Sequence, residues 1–119
     1  MFYAGDNDIA GGKSPEMVFA DFKAMAIKLR ESLPGAKIII ISIKPSIARW
    51  ILWPDMQKTN ELISDFCTKQ SGFYFADVTK VMLDSTGQPR KGIFMSDGLH
   101  INDNGYELWT AIIKPLINK

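Results

Sequence analysis

A chain of 119 residues can bury one hydrophobic core and is too short for two ordinary domains, so residues 1–119 read as a single unit. Its 46% hydrophobic and 23% charged residues are those of a globular protein, and a net charge of +1 with scattered basic residues gives no electrostatic case for a nucleic-acid or membrane partner. One cysteine and one histidine exclude an internal disulfide and a recognisable zinc site, so neither a metal nor a cofactor is expected, and the longest aliphatic run, Ile38–Ile41, is far short of the ~20 residues that span a bilayer. Phe2-Tyr3-Ala4 reads as a very short β segment that runs into the turn-rich stretch GDNDIAGGKSP. Ser14 then caps a helix with Pro15 at its first position and Glu16 in its first turn. Val18, Phe22, Met25, Ala26 and Leu29 repeat at three- and four-residue spacing along it, and Pro34-Gly35 ends it.

Ala36–Lys44 is an uninterrupted β-branched run, the pattern of a strand covered on both faces. After the irregular KPSIARWILWP a second helix is predicted over Asp55–Gln70, with Met56, Leu62, Ile63 and Phe66 inward and Cys67 a buried structural thiol. Phe73–Val78 is the next strand, and LDSTGQPRKGIF is a turn-rich excursion punctuated by Gly and Pro. A last helix runs from Asn102 or Asp103 to Leu116, with Tyr106, Trp109, Ile112 and Ile113 as its apolar face. Strands alternating with helices predict a three-layer α/β/α domain with a parallel sheet. In such sheets functional residues collect beyond the carboxyl ends of strands. GDND, KPS and DGLH all map to that edge.

At that edge the residues carry a family resemblance. YAGDND, containing Gly5, Asn7 and Asp8, resembles the Gly-x-Asn-Asp block of the SGNH (GDSL-type) hydrolases, and SDGLH, containing Asp97 and His100, resembles their Asp-x-x-His block. The order of the blocks, the α/β units between them and the closing helix are also similar, over essentially the whole chain. The resemblance implies a flavodoxin-like α/β/α fold and hydrolysis of small-molecule esters: carboxylic esters, lysophospholipids, acyl thioesters or acetylated sugars. It implies His100 as general base and then acid, Asp97 as the carboxylate that orients it, and the Asn7 amide and Gly5 N–H as oxyanion donors. Asp8 is read as structural, fixing its loop. Trp50 and Trp53 either line an acyl or alcohol pocket or pack in the core.

The family's Gly-Asp-Ser block, which supplies the nucleophile, does not occur in this sequence. Asp84-Ser85 lies in a turn, and Ser46, at a strand end, is the less unsuitable candidate. The expectation is that residues 1–119 form a partial domain starting in the fold's third strand, weakly active or inactive by itself. Phe2–Ala4 would then leave an open sheet edge, which predicts a homodimer or larger homo-oligomer.

Overall fold

A computed structural model describes residues 9–118. Helix α1 spans Pro15–Ser32. Ser14 begins it as the sequence predicts, its Oγ accepting from the Met17 N–H at 3.2 Å. At the other end Arg30 donates to the carbonyls of Pro34, Ala36 and Ser71 and lies over the Phe73 ring, which ties the turn after α1 to the start of both strands.

Strand β1, Ile38–Ile41, and strand β2, Phe73–Ala76, pair in parallel with Ile38 opposite Phe73. Helix α2, Trp53–Lys69, connects them and follows a single 3-10 turn at Trp50–Leu52. A short helix α3, Thr79–Met82, follows β2, and helix α4, Asp103–Ile117, closes the fold. Successive strand residues point to opposite faces, and both faces are covered. Ile38, Ile40 and Phe73 pack with Phe22 and Ala26 of α1 and Ile63 and Cys67 of α2. Ile39, Ile41 and Ala76 face the other way, against Met82 and Ile113 and the partly buried Trp109 and Ile112. The result is a three-layer α/β/α arrangement around a sheet that has two strands among the described residues. No helix among the described residues is long and apolar enough to cross a membrane. Burial pushes the Cys67 thiol up to about 11, as suits a packing residue.

Several boundaries differ from the sequence expectation, each for a local reason. The second helix begins at Trp53 instead of Asp55, because Pro54 in its first turn needs no hydrogen-bonding N–H there. Both strands are shorter than predicted. After Ile41 the Ser42 N–H still donates to the Ala76 carbonyl, but the next groups find side chains: the Val78 N–H donates to Ser42 Oγ at 2.9 Å. Ile43 is taken over entirely by Asn60, whose Oδ1 accepts from the Ile43 N–H at 2.7 Å while its Nδ2 donates to the Ile43 carbonyl at 2.9 Å. Tyr106, predicted on the buried face of the last helix, is instead 57% exposed, edge-on to Trp109. It stands in the first turn of α4 and meets the core group at the Trp109 ring. The predicted β segment Phe2–Ala4, with the open edge inferred from it, lies outside the described residues.

Candidate active site

The excursion between α3 and α4 folds back on itself twice. Leu83 bridges Pro89, and Phe94 bridges Ile101, both antiparallel. The second fold carries Asp97 and His100. It is closed by the Met95 N–H donating to the His100 carbonyl at 2.8 Å and the Asn102 N–H donating to the Ile93 carbonyl at 2.9 Å. Asn102 also caps α4, its Oδ1 accepting from the Gly105 N–H. Gly98 sits at the bend with φ 68°, a left-handed conformation that a residue with a Cβ adopts only with strain. A Cβ there would also lie 3.3 Å from Ile47 Cβ. The bend leans on the segment after β1, where the Ala48 N–H donates to the Gly98 carbonyl at 3.0 Å.

Within this bend the aspartate and histidine meet. Asp97 Oδ1 accepts from the Leu99 N–H at 2.9 Å and the His100 N–H at 3.0 Å, and Oδ2 lies 2.5 Å from His100 Nδ1. The histidine contact, with the two N–H bonds behind it, holds the Asp97 carboxyl down at about 2. An ionised carboxylate only accepts, so Nδ1 carries the proton and the opposite nitrogen, Nε2, presents the lone pair in the neutral ring. His100 is 72% exposed and Asp97 47%. The arrangement is that of a proton acceptor held in one tautomer and open to an incoming molecule.

The low Asp97 pKa gives a pH expectation with a definite sign. A folded-state value of about 2 against an ordinary 3.8 stabilises the fold above pH 3.8, and that contribution disappears as the pH falls through 2. A carbon-detected NMR titration should find the Asp97 midpoint near 2. In His100→Ala it should rise toward the ordinary value, with the two backbone bonds keeping it somewhat below.

The other sequence-predicted positions are placed differently. Ser46 is 1% exposed and its Oγ accepts from the Arg49 N–H, so it is not offered to an ester. Trp53 is 6% exposed and packs with Val18, Ile43 and Met56, whereas Trp50 stacks on it at 6.0 Å and is only half-buried. Ser85 lies in the exposed turn after Asp84. Gly5, Asn7 and Asp8 lie outside the described residues. Asn60 carries no motif, yet it holds the segment on which the Asp97–His100 bend leans. Its signal in the sequence is a polar residue on the inward stripe Trp53, Met56, Asn60, Ile63 and Cys67.

Comparison with solved structures finds this architecture repeatedly. The chain is similar to a GDSL-like lipase from Bacteroides thetaiotaomicron at TM-score 0.74 and 23% identity, covering 98% of this chain and 60% of that one. It is similar to the esterase domain of the ZfL2-1 ORF1 protein from a zebrafish retrotransposon at TM-score 0.73 and 25% identity, over 98% and 70% of the two chains. A structure from Streptococcus pneumonia described as a platelet activating factor matches at TM-score 0.83 and 20% identity, over 97% and 58%. The chain thus spans about three fifths of the length of the first and last of these relatives. A search of curated proteins found no match. The profile of the GDSL-like lipase/acylhydrolase family matches residues 1–108, nearly the whole sequence and both of its family-like blocks, and the chain accordingly belongs to that family.

Proposed function

We propose that residues 1–119 carry the base and oxyanion-binding parts of an ester hydrolase acting on small-molecule carboxylic esters. The observation that carries this reading is the exposed His100 ring with its Nδ1 2.5 Å from an ionised Asp97. Nε2 takes the proton of the attacking hydroxyl and returns it to the leaving alcohol oxygen, while Asp97 holds the tautomer and stabilises the imidazolium. Gly5 and Asn7 are the proposed donors to the tetrahedral oxyanion. Trp50 is the proposed substrate-facing aromatic and Trp53 its support.

The nucleophile is the part this sequence does not provide, since it contains no Gly-Asp-Ser block and Ser46 is buried. In this reading the reaction needs a serine from outside residues 1–119, or a water activated by His100, and the chain alone is weakly active or silent. That same observation favours the second reading, a catalytically inactive, self-associating α/β fragment. Fluorophosphonate labelling followed by intact mass and peptide mapping separates the two. Labelling at one serine, abolished in His100→Ala, would mean that an unexpected serine of this chain serves as nucleophile, and hydrolysis of p-nitrophenyl acetate without labelling, lost in His100→Ala, would point to the activated water; either supports the hydrolase. No labelling of a folded chain, with no hydrolysis of p-nitrophenyl acetate, supports the silent fragment.

Both readings include association through the open edge proposed at Phe2–Ala4. Sedimentation equilibrium at micromolar concentration is expected to give a dimer or larger species, and a clean monomer would remove that part of the proposal.

A further inference from the structure

Strand β2 is an edge of the sheet among the described residues, since its one partner there is β1. In a parallel ladder a strand turns the backbone groups of alternate residues to one neighbour and those of the residues between them to the opposite side. The Ile38 N–H donates to the Gly72 carbonyl and the Ser42 N–H to the Ala76 carbonyl, so Gly72, Tyr74 and Ala76 serve β1. Phe75 and Asp77 therefore direct their N–H and carbonyl groups outward. A groove of ≈ 440 Å³ lies along that outward side, with Phe75, Asp77 and Thr79 as one wall and Gln57, Glu61 and Asp65 of α2 in the other. An open edge with a groove beside it is the arrangement that accepts an extended peptide as an additional strand.

The side chains decide the kind of peptide. Glu61, Asp65 and Asp77 are exposed carboxylates, and no lysine or arginine is among the described residues that line the groove. Thr79 fixes Asp77, its N–H and hydroxyl both donating to Oδ1, which leaves Oδ2 to accept from a ligand. Asp65 is paired with Lys69, but both side chains are largely exposed, so an incoming cation can take the place of that lysine. Phe73 and Phe75 pack toward α1 and α2, so a strand added beside β2 presents every second side chain to the same layer, over the acidic stripe. The spacing agrees. Glu61 and Asp65 are four residues apart on α2, about 6 Å along its axis, and alternate residues of a strand are about 6.6 Å apart. The matching ligand therefore has lysine or arginine at every second position and β-forming residues between them. Two copies of this chain paired edge to edge at β2 would set the same carboxylates along one seam, and a nucleic acid would be repelled by them.

We propose that the free edge of β2 and the acidic stripe of α2 form a docking site for an extended basic segment of a partner protein, added to the sheet as a strand. The site uses neither Asp97 and His100 nor the proposed oxyanion donors, so it stands apart from the hydrolase reading. The probe is an acetylated, amidated heptapeptide alternating valine and lysine, added at millimolar concentration to the intact chain. In ¹⁵N–¹H spectra the Phe75 and Asp77 amide signals should move, and the Phe75 amide should exchange more slowly with deuterium. A heptapeptide alternating valine and glutamate should leave both in place. Glu61→Lys, at an exposed helix position, should weaken binding of the lysine peptide by about tenfold with the urea midpoint nearly unchanged. Methylating every second backbone nitrogen of the peptide, in one phase and then the other, separates strand addition from charge attraction, and at least one phase should abolish binding. Unmoved Phe75 and Asp77 signals, equal shifts with the glutamate peptide, or binding that survives methylation in both phases would each overturn the proposal.

Discussion

Replacing Gly105 with alanine should lower stability by about 2 kcal/mol, against the usual direction of this substitution. In a helix interior, alanine is ordinarily favoured over glycine by about 1 kcal/mol. Here a Cβ would sit 2.8 Å from Ile101 Cβ and 2.8 Å from the Ile93 carbonyl oxygen. The carbonyl cannot rotate away, because it accepts from the Asn102 N–H. Relief requires α4 to lift from the strand-like pair at Phe94 and Ile101, which carries the histidine bend. A thermal melt should drop by about 5–10 °C for a domain of this size. The His100 ring signals should shift in the folded variant as well. Gly35→Ala is the control: nothing lies within 4 Å of its would-be Cβ, so its melt should be unchanged or slightly raised.

Asn60→Ala is the second large effect, about 3 kcal/mol, measured by urea unfolding. The side chain satisfies both backbone groups of Ile43, a residue with no exposed surface. Removing it strands a buried donor and a buried acceptor, at roughly 1–3 kcal/mol each. Asn60→Asp discriminates this explanation from simple loss of packing. The carboxylate still accepts from the Ile43 N–H but sets an oxygen against the Ile43 carbonyl. Only its protonated form donates there, so this variant should gain stability as the pH falls, where most carboxylate-dependent contributions are lost. In both variants the segment Ile43–Ala48 loosens, and with it the support under Gly98.

These two positions show what a sequence reveals and what it withholds. The run Ile38–Ile41 announces a strand buried on both faces because its composition alone demands cover on each side. The Ser14-Pro15 start of α1 is equally local, as is the three-residue spacing that lets Asp97 reach the histidine ring. Strand ends are not local. Where β1 stops depends on Asn60, 17 residues away, and on Ser42 capturing the Val78 N–H across 36 residues. The burial of Ser46, which withdraws it as a nucleophile, likewise depends on packing that no spacing encodes. Tyr106 looks inward by period and touches Trp109 but is left mostly exposed, so periodicity identified the stripe and misjudged how much of it is covered.

The bend from Ile93 to Asn102 is a closed unit: its two ends are bonded to each other, its carboxylate and imidazole are neighbours within it, and it attaches to the rest of the fold through Ile93 and Ile101 in the core and through Gly98 against Ile47 and Ala48. In inheritance terms it behaves as a cassette. A histidine and its orienting aspartate that travel on one short loop cannot be parted by recombination, circular permutation or a break elsewhere in the chain. The proton-handling half of the proposed chemistry is therefore carried by a single short segment, whose two reacting side chains need no second element to bring them together.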